Sequence, residues 1–536
     1  MGEIVGELAV EIDRPAQEAC GLFMVHLRPD AAVGPAATEL AAMGIGQLGH
    51  RGNEGTGVAV QDQTRVLVIH GKGDAKEAFG GNQLLGQDAY SAMAHGRYAT
   101  SNMDASAEDE SGEKKKSIYD TIQPMIEQAE VRQGKLVSIV QGHNGDIANA
   151  KELTELFGYK HEEIKSDSHL ALLMLKDALE AGLSEVEAIR HISHLMVGAY
   201  SMTTMIGNKR FAWRDPWGFR PLFLGEIKND EGGVEGWAVA SEQPAFEAIG
   251  AQELGPVGRG ELVEIGDDGP IVHQLFTEEE LAQIPESLCI FEFVYFARPD
   301  TVLNGVNVGA ARVKAGEILR EEENAALPFP RRLGRYALDR LRLHKNSIVV
   351  GSPNSGMLGA EGYAHQSGMR MVPGLVKNPS DGRRSFMQPG QNGRIATALN
   401  KMNVVRSIVV GNKVYNGDDS RVRGHTSRRV NDQMRAAGAA ELHGRIFSPP
   451  YKHPCHFGMD TKDPSQLKAN RMSVEEMRED AGDDSLVFLS LAGLLKSVGS
   501  KDGKGFCTHC MTGADPTQTP VQIKSRREYL ERTLTA

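Results

Sequence analysis

Apolar residues come in short runs separated by glycine-rich turns through residues 20–275, and the runs at 21–26, 66–70, 136–141, 201–206, 211–214 and 237–240 predict strands of stacked or mixed sheets. One stretch breaks that rhythm. Leu170, Leu173, Met174 and Ala178 recur at helical spacing within 169–181, with Asp167 or Ser168 available as cap. The charged stretch 108–116 reads as a solvated loop. Beyond about residue 285 the pattern changes: a helix is predicted over 308–320 and a strand over 347–350, with 404–410 and 444–447 readable as strand or helix. That alternation belongs to an α/β domain. From Pro464 onward the chain is polar and irregular, apart from the apolar segment 486–495 that precedes Cys507-Thr-His-Cys510. No internal repeat is present.

At 536 residues the chain has material for about three domains. Its formal charge of −12 argues against a surface that tracks nucleic-acid phosphates, while leaving room for a local basic site for a small anion. No run approaches the length of a membrane span. The first 19 residues are acidic and resemble neither an anchor nor a signal peptide, and Gly6 stands where a myristoylation signal needs Ser or Thr. A cytoplasmic protein is expected. Five cysteines in so long a chain make no disulfide scaffold, so each is a core residue, a ligand or a nucleophile.

Candidate chemistry starts with residues 416–427, Asn-Gly-Asp-Asp-Ser-Arg-Val-Arg-Gly-His-Thr-Ser. Asp418 and Asp419 can face ribose hydroxyls or a hydrated magnesium, and the hydroxyls and backbone N–H groups around Ser420, Thr426 and Ser427 can wrap a phosphate. A surface turn that caps a helix is the alternative. Cys20 enters a predicted strand, where a buried small apolar residue is the commoner role. Around it, however, stand several glycine-rich polar turns: His50-Arg51-Gly52-Asn53-Glu54-Gly55, His95-Gly96-Arg97-Tyr98-Ala99-Thr100, Gly142-His143-Asn144-Gly145-Asp146 and Ser166-Asp167-Ser168. Cys507-x-x-Cys510 is readable as a zinc half-site, a redox pair or structural packing.

In their order these first motifs resemble the class II, N-terminal-nucleophile glutamine amidotransferases. Cys289-Ile-Phe-Glu-Phe-Val-Tyr-Phe-Ala-Arg-Pro-Asp300, Ser352-Pro-Asn-Ser-Gly356, Gly374-Leu-Val-Lys-Asn378 and the 416–427 loop extend the resemblance to the amidophosphoribosyltransferases, in the iron–sulfur branch. It implies an N-terminal αββα Ntn-hydrolase sandwich followed by a type I phosphoribosyltransferase α/β domain, so α/β and α+β architecture together. The implied organisation is a propeptide 1–19, a glutaminase 20–275, a phosphoribosyltransferase 286–475 and a tail 476–536 that completes an iron–sulfur site.

The implied reaction converts 5-phosphoribosyl 1-pyrophosphate and glutamine to phosphoribosylamine, glutamate and pyrophosphate, the first step of de novo purine synthesis. Ammonia would be released at one half-site and used at the other. The resemblance assigns Cys20 as nucleophile with its own α-amine as base, and Asn144 with the Gly145 N–H as oxyanion hole. It gives Arg51, Arg97, Thr100 and Asp167 to glutamine, Arg97 to the α-carboxylate and Asp167 to the α-amine. The phosphoribosyl substrate falls to Lys377, Arg383 and Arg384 in a lid, and to Asp418, Asp419, Ser420, Arg423, Gly424, Thr426 and Ser427. Magnesium would sit at Ser355, Asp418 and Asp419, and a 4Fe-4S cluster at Cys289, Cys455, Cys507 and Cys510, with four-cysteine zinc as rival. A homotetramer is implied by analogy, with no nucleic-acid or membrane partner.

The phosphoribosyl half departs from the family pattern. Asn416-Gly417 interrupts an otherwise apolar strand and is expected to weaken it and move the carboxylates. Arg421 stands for an apolar residue, His425 for a threonine and Asn354 for an acid, while the lid carries an extra residue and lacks a tyrosine. His169 replaces a glutamate in the first half. Two further readings follow: an active glutaminase with an impaired or repurposed second domain, and a noncatalytic redox-sensing scaffold.

Overall fold

The computed structural model describes residues 20–31, 36–62, 65–79, 89–97, 121–131, 134–377 and 402–518. The expectations placed on the propeptide 1–19, the loop 108–116, Thr100, Arg383 and Arg384 lie outside the described residues, as do the side chains of His425 and Thr426.

Strict alternation builds the first half. In the strand Gly21–Leu27, Leu22 and Met24 point into a core shared with a second sheet, while Phe23, Val25 and Leu27 point the other way, under the helix Ala37–Gly46. Both faces are therefore apolar, as a strand covered on both sides requires. The first sheet has seven strands, in the order Ala251–Pro256, Phe223–Lys228, Val234–Ala240, Gly21–Leu27, Ser91–Arg97, Gly55–Gln61 and Val66–Lys72. Against it packs a six-stranded sheet whose centre holds Lys135–Ile147, Gly198–Ile206 and Lys209–Arg214. The helices Asp167–Glu180 and Glu185–Leu195 cover its outer face through Leu170, Met174, Ile189 and Ile192. This is the expected αββα sandwich. The first helix extends two residues further upstream than its apolar period suggests, and its cap is Ser166, whose hydroxyl accepts from His169 N; Asp167 and Ser168 are its first residues.

The second half is a five-stranded parallel sheet in the order Arg370–Met371, Ser347–Gly351, Lys413–Asp418, Glu441–Ile446 and Ser485–Phe488. Its helices Val308–Ala325 and Met357–Ser367 approach closely because glycines line the contact: a Cβ on Gly316 would fall 1.9 Å from Gly359 O, and one on Gly362 1.8 Å from Val313 O. The ambiguous segment 404–410 resolves into the end of the strand Met402–Val404 and the short helix Arg406–Val409.

Two expectations need correction here. Asn416 and Gly417 do not weaken the central strand: both are in register, Asn416 opposite Val350 and Gly444, Gly417 opposite Gly351 and Arg445. Gly417 is required by packing, since a Cβ there would come 2.7 Å from the Phe447 ring. Nor is the chain irregular beyond Pro464. The helix Val474–Ala481 and the strand Ser485–Phe488 complete the parallel sheet, so a tail starting at 476 is part of the second domain; Leu491–Ser497 then packs on Val308–Ala325. The non-local pairing of Ser485–Phe488 with Glu441–Ile446 leaves no signal in a short window.

The halves share one continuous apolar core. It runs from Phe23 and Ile45 through Phe219, Phe291 and Phe293 to Ile318, Tyr451 and Leu494. Among the described residues no helix is long and apolar enough to cross a membrane.

Replacing Gly362 with valine forces the two glycine-lined helices apart. It is expected to cost about 1–3 kcal/mol in denaturant unfolding of the second half, the range for overpacking, and an unchanged midpoint would contradict the close contact.

Candidate functional site

Cys20 lies half-buried at the mouth of the first strand, without a disulfide. The next residue, Gly21, pairs with Gly96, which places Cys20 beside the end of the strand that carries Arg97. From the facing sheet, a Cβ on Gly142 would come 3.0 Å from Leu22 Cδ2, so the strands bearing Cys20 and Asn144 cross there, two residues from each. Asn144 is buried, and its Nδ2 has no hydrogen-bond partner among the described residues. An orphaned buried donor is costly unless a ligand completes it. The stretch 142–146, read as a polar turn, lies in the strand Lys135–Ile147; there Gly145 takes φ +152° opposite Tyr200, and a Cβ would collide with Ala199 O at 1.9 Å, so only glycine fits.

Asp167 closes the site from the first turn of its helix. Its Oδ2 accepts from Ile147 N at 3.1 Å and lies 3.7 Å from His143 Nδ1. His143 is itself fixed by Ser168 Oγ at 2.9 Å and Ala199 O at 3.2 Å, and its N–H donates to Gln123 Oε1 at 2.6 Å. Arg97 bonds the hydroxyl of Thr121. Sequence reasoning singled out neither Gln123 nor Thr121, whose neighbours in the chain carry no motif. His169, at a position of departure, faces Glu127 at 3.4 Å.

Arg51 does something other than expected. Its guanidinium bonds Glu242 through Nε and Glu292 through Nη2 at 2.6 Å, with all three side chains fully buried. Arg220 reaches the same Glu292 at 3.2 Å. Burial opposes the charge on Glu242, but Arg51 and His50 outweigh it and hold that carboxyl well below its usual range. The glutamine-binding role expected of Arg51 is thus replaced by a structural one, because its donors already face two carboxylates.

In the second half, Asp418 ends the central strand and Asp419 follows it. Asp419 Oδ1 accepts from Ser420 Oγ at 2.8 Å, whereas Oδ2 is buried without a hydrogen-bond partner among the described residues. The Ser355 hydroxyl adjoins Asp419, so the structure brings together the three residues expected at magnesium. Burial foremost, then the charge of Asp419, pushes Asp418 up to about 8. Arg312, absent from the sequence reading, faces Asp419 while donating to the carbonyls of Phe293 at 2.7 Å and Ala297 at 2.8 Å. A small cavity lies between Asp419, Ser355, Arg312 and the rings of Phe293 and Phe447.

Beyond the carboxylates the chain turns through Gly424, at φ +72°, into the helix His425–Ala436. Ser427 falls in its first turn, where unpaired N–H groups favour an anion. Arg423 is held by Asp460 O at 2.9 Å, and Lys377 ends the strand Leu375–Lys377. The departure at Arg421 is absorbed by a buried ion pair with Asp483 Oδ2 at 2.9 Å, whose other oxygen takes Asn431 Nδ2 at 2.7 Å.

Three cysteines are buried and the fourth, Cys289, is partly so. Cys289 and Cys507 stand opposite each other on two short parallel strands, and Cys510 O accepts from the N–H groups of Lys452 and His453, bringing in the segment of Cys455. Burial, then Cys289, pushes Cys455 up to about 11; burial and the neighbouring cysteines raise Cys507 and Cys510 further. Such thiols are mutual neighbours that need a counter-charge to ionise. Among the described residues no three His, Cys, Asp or Glu groups sit at the spacing of a site for a metal ion.

Fold and site define a two-domain glutamine amidotransferase with a phosphoribosyltransferase half. A glutamine amidotransferase domain model matches residues 116–248. The amidophosphoribosyltransferase of Bacillus subtilis is 32% identical over 94% of each chain, and that of Synechococcus elongatus 33% identical over 98% of this chain and 96% of its own. A solved glutamine phosphoribosylpyrophosphate amidotransferase from B. subtilis, complexed with ADP and GMP, superposes with a TM-score of 0.76 at 32% identity, covering 93% of this chain and 97% of that one. The chain belongs to the amidophosphoribosyltransferase family. Its activity is that family's, glutamine-dependent synthesis of phosphoribosylamine at the head of purine synthesis; the impaired and noncatalytic readings find no support in these relatives.

The site also fixes an acid sensitivity. His95, beside the strand that carries Asn144, is pushed down to about 3; burial is the main cause and Arg97 adds to it, against the bond to His143 O. Between about pH 3 and 6.5 the unfolded chain binds a proton that the native chain does not, so this contribution is complete above 6.5 and falls with pH by up to about 1.4 kcal/mol per unit. His95→Gln should flatten that slope in a denaturation series across pH; an unchanged slope would refute the assignment.

Proposed function

We propose that Cys20 attacks the side-chain amide of glutamine, and that the ammonia released is used at Asp418 and Asp419 to displace pyrophosphate from a 5-phosphoribosyl 1-pyrophosphate. The orphaned Asn144 Nδ2 carries the first half of this reading, because a buried donor without a partner suits an oxyanion that forms only during reaction. Cys20 Sγ gives up its proton to its own α-amine once residues 1–19 are removed, and that amine returns a proton to the departing ammonia. Arg97 pairs with the α-carboxylate and Asp167 with the α-ammonium, assisted by Thr100. Water then releases glutamate from the thioester.

In the second half, the Gly424 turn and the helix start at Ser427 hold the 5-phosphate, with Ser420, Arg423 and Thr426 around it. Asp418 and Asp419 take the ribose side of the substrate. Asp418, Asp419 and Ser355 would hold magnesium, which would supply charge neutralisation for the leaving pyrophosphate; the unpartnered Asp419 Oδ2 fits such an ion. Lys377, with Arg383 and Arg384, belongs to a lid that keeps water out. We assign residues 20–275 to the glutaminase and 286–488 to the phosphoribosyltransferase. The reaction is placed in the cytoplasm, in a homo-oligomer, a tetramer by family analogy, without nucleic acid or membrane.

Cys289, Cys455, Cys507 and Cys510 would hold a 4Fe-4S cluster. Their joint burial supports this, as does Arg220, whose charge Cys289 and Cys455 favour against burial.

Cys20→Ala should abolish glutamine-dependent phosphoribosylamine formation and leave the ammonia-dependent rate within about twofold, since the half-sites are chemically separate. Equal loss of both rates would overturn that division. Anaerobically purified protein is expected to show visible charge-transfer absorbance with iron and sulfide in equal amounts, all lost in Cys455→Ser; a colourless protein with one zinc would put zinc at the four cysteines instead.

A further inference from the structure

A segment of the phosphoribosyl half lies directly on the end of the strand Lys135–Ile147 that bears Asn144 and Gly145. Phe457 stacks on Phe219 with ring centroids 4.6 Å apart, and its carbonyl accepts from Arg220 Nη2 at 2.9 Å. At Gly458, φ is +100°, and a Cβ would come 3.3 Å from the carbonyl carbon of Gly145, so the two glycine backbones are laid against each other. Four residues on, Lys462 Nζ reaches Asp146 Oδ2 at 2.7 Å. Asp146 is the residue after Gly145, and its side chain is only 13% exposed. Burial first, then the charge of Asp167, disfavours the Asp146 carboxylate, and Lys462 and His143 oppose them.

We infer that Lys462 is a positioning residue for glutamine hydrolysis, pinning Asp146 and with it the Asn144-Gly145 end of the strand from the opposite domain. The inference rests on the oxyanion assignment of Asn144 and Gly145. A glycine at φ +152° has no side chain to fix its N–H, so its direction is set by its flanks. Ala199 O packs on one side and Asp146 anchors the other. Lys462 also cancels a negative charge beside Asp167, so the α-ammonium of glutamine meets one carboxylate whose partner charge is already balanced. Without Lys462, Asp146 must either swing to water or take a proton, and both displace the strand end beside it. The same segment also meets the phosphoribosyl loop, where Arg423 Nη2 donates to Asp460 O at 2.9 Å, but that bond is to the backbone and the Lys462 ammonium reaches the other way, to Asp146.

The test is steady-state kinetics on the full-length enzyme as purified, with glutamine and with ammonia as nitrogen source. Lys462→Met should lower kcat/KM for glutamine about tenfold, through both a raised KM and a lowered kcat, while the ammonia-dependent rate stays within about twofold. Lys462→Arg should keep most glutamine activity. Asp146→Asn combined with Lys462→Met should recover most of the loss, because no unpaired charge remains. A silent Lys462→Met, a double variant no better than Lys462→Met, or equal loss with both nitrogen sources would overturn the inference. Asn144→Ala separates the levels. If it retains glutamine activity, the oxyanion assignment falls and the inference with it; if it is inactive while Lys462→Met is silent, only the positioning role falls.

Discussion

Two arginines and two glutamates, fully enclosed, hold the halves of this molecule to each other. Arg51 and Glu242 come from the glutaminase, Glu292 from the segment that opens the second half, and Arg220 from the loop between two sandwich strands. Removing any one would leave a buried charge uncompensated, typically worth about 3–5 kcal/mol. Replacing all four by apolar residues of similar volume could be neutral for stability. What the ions add is direction, since bidentate and forked contacts fix orientation where a greasy contact would allow sliding. The next residue after Glu292, Phe293, lines the small cavity beside Asp419. A single turn of chain thus has its charged side chain in one half-site's support and its apolar side chain at the other's.

Around this joint, each half-site is built at the end of rigid strands, the arrangement that makes reacting groups accurate. Cys20 stands at the start of one strand, Asn144 near the end of another and Asp167 on a helix start, all at one end of the sandwich. Asp418 and Asp419 stand at the carboxyl end of the central parallel strand, where open α/β sheets bind their ligands. Two of the departures from the family pattern are absorbed locally, each for a separate reason. Arg421 is neutralised by Asp483, and Gly417 yields the volume that Phe447 occupies.

Much of this was legible in the chain. The apolar run at 21–26 and the helical period at 170–178 pointed to stacked sheets and a helix, while the layered sandwich and its candidate residues were implied by the family resemblance that the order of the polar motifs carries. The misses share a cause. Arg51 looks like a substrate ligand until Glu242 and Glu292, about two hundred residues away, appear beside it. Asn416-Gly417 looks like a strand breaker until the ring of Phe447 is seen to need the space. The fifth strand, Ser485–Phe488, is short and apolar on either reading; only its parallel partner at 441–446 makes it a strand. Local patterns record what a residue prefers, and these residues are decided by a neighbour that local patterns do not contain.

The pairing of Ser287–Cys289 with Gly505–Cys507 bears on the order in which the molecule can be made. Every strand of the two sandwich sheets lies before about residue 275, so those sheets can pair while the second half is still being translated, although Arg51 and Arg220 then still lack Glu292. The phosphoribosyl half must wait, because a strand at its entrance finds its partner only after residue 507 has emerged. During that interval the segment bearing Cys289 and Glu292 lacks the strand it will finally pair with, so the joint between the halves is among the last contacts to be completed.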